Sequence, residues 1–237
     1  MKTYKVHLIR HGLTESNFSG AYVGQKDVPL CEDGIKQLRE MTEKMTYPEV
    51  AAIFSSPLSR CKETSEIIYP GQEPIIIEEL KEYNFGDWEG KTADELKDNE
   101  LFAAWLAGGP DEEPPFGESN AAFGKRISNA FEKIVEGLFK TGVTEAAIIT
   151  HGGVIMSLME MYALPELPMD QWLVPSGCGY TIRITPSLWT HGRKFEVVED
   201  IPYIELTEEE EAEYLMSNPD MDSFGNQMGG FGFIDLD

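Results

Sequence analysis

From Val6 to Asn17 the chain reads V-H-L-I-R-H-G-L-T-E-S-N, a short apolar run that empties into Arg10 and His11 and is halted by Gly12. An apolar run of strand length closed by a turn residue predicts a buried strand followed at once by a turn. The layout recurs at A-A-I-I-T-H-G-G, where an apolar strand ends in His151 and two glycines. In open α/β sheets, ligands sit beyond the carboxyl ends of the strands, so both histidines are placed for chemistry. Although 140 residues apart, His11 and His151 can meet across such a sheet.

The residue types narrow the chemistry. A planar guanidinium offers paired N–H donors that match phosphate oxygens, and a neutral imidazole nitrogen is a good nucleophile toward phosphorus. Together Arg10 and His11 point to phosphoryl transfer through a phosphohistidine. Gly12 lets the backbone approach an anion, and Thr14 and Asn17 add neutral donors, so the turn reads as a phosphate cradle.

Further along, helical spacing of Ile35, Leu38, Met41 and Met45 predicts an amphipathic helix, and residues 50–54 predict a second strand. S-S-P-L-S-R places Ser56 as a cap before Pro57 at a helix start, with Arg60 in the first turn, where the helix N-terminus already favours anions. Pro74 introduces a third apolar strand, I-I-I. The loop after it carries Glu78, Glu79, Glu82, Asp87 and Glu89, and spacing alone does not choose which of them is an acid. A capping box of Thr92 and Glu95 opens a helix over 92–106. G-G-P-D-E-E-P-P-F-G-E-S then forms a loop and a plausible lid, and a long amphipathic helix follows from Glu118. Residues 154–162 predict a buried helix. Y-T-I-R-I-T and K-F-E-V-V-E-D form a closing hairpin joined by L-W-T-H-G-R, and His7 and His191 are read as structural.

Composition bounds the rest. At 237 residues, one α/β domain is expected over 1–204, followed by an acidic helix capped by Thr207 and a Gly- and Phe-rich tail over 205–237. The tail aromatics fit packing along the domain or against a second copy in a homodimer, with partial disorder as the default. Its Asp220, Asp222 and Gly225 mimic a calcium loop, but Phe224 and Phe231 stand at ligand positions, so calcium is rejected. A formal charge of −23 repels nucleic acid and anionic membrane, and any anionic substrate needs a local basic pocket. There is no leader-like segment and no apolar run of membrane length. Cys31, Cys61 and Cys178 are odd in number, so a cytoplasmic, reducing location is expected.

Five separated motifs now stand in order: R-H-G-x-T-x-x-N, S-S-P-x-x-R, L-x-E-x-x-F-G, P-P-x-G-E-S and I-T-H-G-G. Together they resemble the histidine phosphatase superfamily, the phosphoglycerate-mutase-like group, closest to its phosphatase branch of broad-specificity and alpha-ribazole-phosphatase-like members. The D-x-P-L-x-x-x-G run from Asp27 to Gly34 is similar to the family too. The resemblance covers about residues 4–200 and implies a three-layer α/β/α sandwich with a mostly parallel central sheet; the strand–helix alternation supports this independently. It implies His11 as nucleophile, Arg10, Arg60 and His151 as catalytic and phosphate-binding partners, and Glu82 as proton donor. Glu89 is left as a loop anchor. It also implies Gly12, Thr14, Asn17, Gly24 and Gly152 around the phosphate, with no metal and no cofactor.

The implied reaction is hydrolysis of a small phosphorylated metabolite. His151, as imidazolium or N–H donor, would steady the transferring oxygens, and an empty arginine-rich pocket would lower the Glu82 pKa. Two other classes stay open: a cofactor-dependent phosphoglycerate mutase and a pseudoenzyme that binds phosphorylated partners. Against the mutase, Val23 stands where family mutases place a hydroxyl residue. The segment from Lys91 to Arg126 also sets four basic residues against eight acidic ones.

Overall fold

The computed structural model describes residues 2–204; the acidic helix and the Gly- and Phe-rich tail lie outside the described residues. In chain order the elements are β1 (Tyr4–Arg10), α1 (Glu15–Ser19), α2 (Glu32–Lys44), β2 (Ala52–Ser55), α3 (Ser59–Ile68) and β3 (Ile75–Ile76). They continue with α4 (Ala93–Leu96), α5 (Glu100–Leu106), α6 (Asn120–Thr141), β4 (Glu145–Thr150), α7 (Gly152–Tyr162), β5 (Ala163–Leu164), β6 (Gly179–Ile184), α8 (Pro186–Gly192) and β7 (Phe195–Ile201).

The strands form one sheet in the order β3-β2-β4-β1-β6-β7-β5. Its β3-β2-β4-β1 half is parallel throughout, and β6 runs antiparallel to both β1 and β7. Helices cover both faces because successive strand side chains alternate between them. On β4, Ala146 and Ile148 join the core under α6 and α7, while Ala147 and Ile149 join the core under α2 and α3. The expected three-layer α/β/α architecture is the one observed.

Differences from the sequence expectations are local. The third strand is two residues long and exposed, an edge rather than a core strand. The helix expected over 92–106 is two helices, because the Asn99 side chain accepts from the Leu101 and Phe102 amides and caps a new start. The link between β6 and β7 is a helix, α8, capped by Thr185 with proline in its first turn. Finally, α3 begins at Ser59 and not at Ser56, which leaves the Ser56 hydroxyl for another partner.

Candidate active site

Three adjacent parallel strands, β2, β4 and β1, end at the same edge. The register pairs Arg10 with Thr150, and the His11 amide donates to the Thr150 carbonyl at 2.9 Å, so the residues after β1 and β4 meet. The rings of His11 and His151 lie 5.2 Å apart, edge to face. Arg60 arrives from α3 behind β2, and Glu82 from the loop after β3.

His11 is 6% exposed and its Nδ1–H donates to the Gly12 carbonyl at 2.7 Å. A carbonyl can only accept, so the neutral ring carries its proton on Nδ1 and Nε2 keeps a bare lone pair. Burial, with Arg60 and then Arg10 adding repulsion, pushes its pKa down to about 3 against the opposing Gly12 bond. It is a neutral base at ordinary pH.

The two arginines are held from behind. Arg60 is 1% exposed and donates to the Gly24 carbonyl at 2.7 Å, the Lys26 carbonyl at 3.0 Å and His151 Nδ1 at 3.3 Å. Arg10 donates to the Val174 carbonyl at 2.7 Å, while its buried Nε has no hydrogen-bond partner among the described residues. Burial lowers both pKa values, but from a starting value so high that both side chains stay cationic.

His151 is fully buried and sits behind the cavity wall, unlike His11. Because Arg60 donates to its Nδ1, the proton of the neutral ring is on Nε2, which donates to Ser56 Oγ at 2.8 Å. The Cys61 thiol packs 3.6 Å from the same nitrogen. Burial first, then Arg60 and His11, hold its pKa well below the ordinary value. Of the two expected forms, imidazolium or N–H donor, the first is corrected: the ring is neutral, and its N–H, on Nε2, is directed at Ser56 Oγ.

Glu82 is 9% exposed and accepts from its neighbour's amide, Tyr83, and from Gly153 in the first turn of α7, each at 2.9 Å. Burial nonetheless raises its pKa, outweighing those two bonds and the pull of Arg60 and Arg10. This reverses the expectation of a lowered value, since desolvation of a carboxylate is the larger effect here. The raised value suits a proton donor.

Thr14, Asn17 and Gly152 line the cavity with Arg10, His11, Arg60 and Glu82. The Asn17 side-chain Oδ1 accepts from both the Thr14 amide and its hydroxyl, at 2.9 and 3.0 Å, which fixes the turn. Gly152 packs beside Arg10: a Cβ there would stand 3.4 Å from Arg10 Nε, an ordinary van der Waals contact. Gly12 and Gly24 have other work than facing an anion. The Gly12 amide donates to Thr64 Oγ1 at 2.9 Å, and its α-carbon packs where a Cβ would meet Leu38 at 2.5 Å. The Gly24 amide donates to Glu89, and a Cβ there would meet the Tyr83 carbonyl at 1.7 Å. Glu89, accepting from Gly24 and Gln25, anchors the loop as expected.

Sequence reasoning missed two groups. Ser56 was assigned to a helix cap and instead holds His151; nothing local distinguishes the two uses. Arg126 donates to the carbonyls of Glu79, Lys81 and Glu82 and to the Glu118 carboxylate, clamping the loop that carries Glu82. The signal for it was an arginine at the core edge of a long helix, adjacent to the G-E-S entry. His7 and His191 are structural, bonded to Thr181 and Glu145 and to the Ser187 carbonyl respectively.

A bare imidazole nitrogen and two buried guanidinium groups at the edge of a parallel sheet, with a protonatable carboxyl group beside them, define an enzyme site for phosphate esters. The sequence profile of the histidine phosphatase superfamily (branch 1) matches residues 6–213. The chain belongs to that superfamily and is a hydrolase of phosphate monoesters. It is 30% identical over 185 residues to an adenosylcobalamin/alpha-ribazole phosphatase of Salmonella typhi, covering 76% of this chain and 90% of the relative. It is also 30% identical over 152 residues to a protein of Serratia proteamaculans named "Probable phosphoglycerate mutase GpmB", covering 62% and 69%. The crystal structure of the alpha-ribazole phosphatase from Shigella flexneri superposes with a TM-score of 0.66 at 27% identity, over 77% of this chain and 91% of that one.

Proposed function

We propose that the protein is a metal-independent phosphomonoesterase that works through a phosphohistidine on His11 and acts on a small phosphorylated metabolite. The observation that carries this reading is the His11 hydrogen bond to Gly12, which leaves Nε2 unprotonated in the cavity shared with Arg10 and Arg60. Nε2 attacks phosphorus, and the bond to the ester oxygen breaks as Glu82 gives that oxygen its proton. The Glu82 carboxylate then takes a proton from water as its oxygen attacks phosphorus. The P–N bond breaks, its electron pair returns to Nε2, and inorganic phosphate leaves. Arg10 and Arg60 balance the charge of the equatorial oxygens throughout. His151 acts through Arg60, by fixing its Nε, and not by touching the phosphoryl group.

Phosphoglycerate mutation is the weaker reading. A mutase must grip a second anionic group while its intermediate turns round, and the Lys and Arg residues lining the cavity are Arg10 and Arg60, both beside His11. A cytoplasmic location is supported by Cys31, Cys61 and Cys178, buried and unpaired. The test is rapid quenching after brief exposure to a labelled ester. Acid-labile, base-stable label on the native chain and none on His11→Ala is expected, with inorganic phosphate as the product. Retention of label by His11→Ala would transfer the nucleophile elsewhere.

A further inference from the structure

The cavity holds about 630 Å³, within the range of roughly 300–1,000 Å³ that encloses a whole small organic molecule. Arg10 and Arg60, the cations for a phosphoryl group, line it with His11, and much of the remaining lining is apolar. Its aromatic part is Tyr22 from the segment after α1, Tyr83 from the loop after β3, Trp105 of α5 and Phe123 of α6. The Trp105 Nε1–H donates to the Tyr83 hydroxyl at 2.9 Å, which satisfies the indole nitrogen and leaves the rest of the Trp105 ring as carbon surface. Tyr22 and Tyr83 both meet Trp105 edge to face, at 5.9 and 5.6 Å. The cavity is also lined by Met156 and Met161 of α7 and by Met169, thioethers that adapt to a flat surface and favour ring contacts. At the mouth stand Leu106 and Leu173, 59% and 63% exposed. Both line the cavity, so the apolar surface continues to its rim.

The charge distribution is as one-sided as the shape. Beyond Arg10 and Arg60 the wall carries Glu160 and no further Lys or Arg, on a chain with a formal charge of −23. A second anionic group on the substrate would be desolvated against apolar walls and repelled by Glu160. From the aromatic and thioether lining, the apolar rim and the missing second cation, we infer that the natural ester carries an uncharged, flat aromatic group on its alcohol half. That group packs on Trp105 and the methionines of the lining. This inference rests on the phosphatase reading and deepens it, because it sets carboxylated esters apart from aromatic ones.

The experiment compares three primary-alcohol monophosphates whose leaving groups are alike near the reacting oxygen: 2-(2-naphthyl)ethyl phosphate, the same compound with a ring carboxylate, and propyl phosphate. The activated p-nitrophenyl phosphate serves as control. kcat/KM for the naphthyl ester should exceed that of propyl phosphate by roughly 10- to 100-fold, and the carboxylate should remove most of that gain. Trp105→Ala should shrink the naphthyl-to-propyl ratio several-fold. Leu173→Ser, at an exposed position that folding tolerates, should shrink it less, and Glu160→Lys should raise turnover of the carboxylated ester. A ratio near one in the native chain, or a preference for the carboxylated ester, would overturn the inference and leave the phosphatase reading standing. If no ester is hydrolysed, p-nitrophenyl phosphate included, the phosphatase reading falls and the inference with it.

Discussion

His11 and His151 end neighbouring parallel strands with the same local layout, an apolar run, a histidine and a glycine, yet they hold opposite stations. His11 lines the cavity with a bare Nε2; His151 lies behind the wall with Nδ1 receiving from Arg60 and Nε2–H donating to Ser56. The two tautomers are opposite as well, Nδ1–H on His11 and Nε2–H on His151. A repeated strand-end pattern therefore delivers two imidazoles to one edge but does not give them one role. Hydrogen-bond partners drawn from other elements separate the reacting ring from the supporting one.

Replacement of the cavity-lining member should have the largest effect. His11→Ala should lower phosphate release by roughly 10⁴-fold or more, whereas His151→Gln should lower it by only about 10²-fold and still form labelled phosphoenzyme. Rapid-quench labelling of both variants checks this. Equal loss of label in the two would erase the distinction between them.

Glu82→Gln sharpens the contrast from the other side of the cavity. The raised pKa of Glu82 supplies a proton donor above the usual carboxylate range. Its loss should cost about 10²- to 10³-fold on alkyl esters and much less on aryl esters with good leaving groups. The descending basic limb of the alkyl-ester pH profile should also disappear in this variant. Steady-state profiles on the two ester types decide it, and equal losses would reassign the proton to water.

Both histidines, together with buried His7, should make the fold acid-sensitive. His11 at about 3 and His7 at about 4 are neutral when folded, and His151 is displaced in the same direction. In the unfolded chain they titrate near 6.5, so between pH 6.5 and about 3 the unfolded state binds more protons. Their stability contribution is complete above pH 6.5 and is lost as the pH falls through that window. Each fully suppressed histidine should cost on the order of 2 kcal/mol at pH 5. Glu82 acts oppositely: its raised pKa adds stability at low pH that is lost as pH rises through it. Glu145 and Asp200, the latter raised to about 6 by burial, oppose the imidazoles together with Glu82. All three imidazoles titrate below pH 5 when folded, so the urea midpoint should still drop from pH 7 to pH 5, by less than the histidines alone would give. A midpoint that stayed flat would mean that the rings protonate without unfolding.

The smallest effect is expected at Ser56. Ser56→Ala leaves the buried His151 N–H without its acceptor, and kcat should fall roughly 3- to 10-fold with KM little changed. Ser56→Thr should restore it. A role in packing alone would show no rescue by threonine beyond that of other residues of similar volume.

Much of the site was legible because it is written locally. Arg10 and His11 before a glycine, Arg60 in a first helical turn and Glu82 in its loop are each defined by neighbours within a few residues, and strand–helix alternation carries the layers. Ser56 was misread for the converse reason: a serine before proline fits a cap, and only the arrival of His151, 95 residues away, redirects its hydroxyl. Gly12 and Gly24 were read as anion contacts, while Leu38 and the Tyr83 carbonyl, brought near by folding, are what exclude a side chain there.

The sequence by itself determined the chemical groups, their order along the chain, the family and the parallel sheet that gathers them, since these follow from residue type and short-range period. The tertiary structure alone decided which imidazole carries its proton on which nitrogen, that burial outweighs two arginines at Glu82, and that aromatic residues and methionines distant in sequence line one cavity. Those outcomes depend on desolvation and on partners distant in the chain, and neither has a local signature.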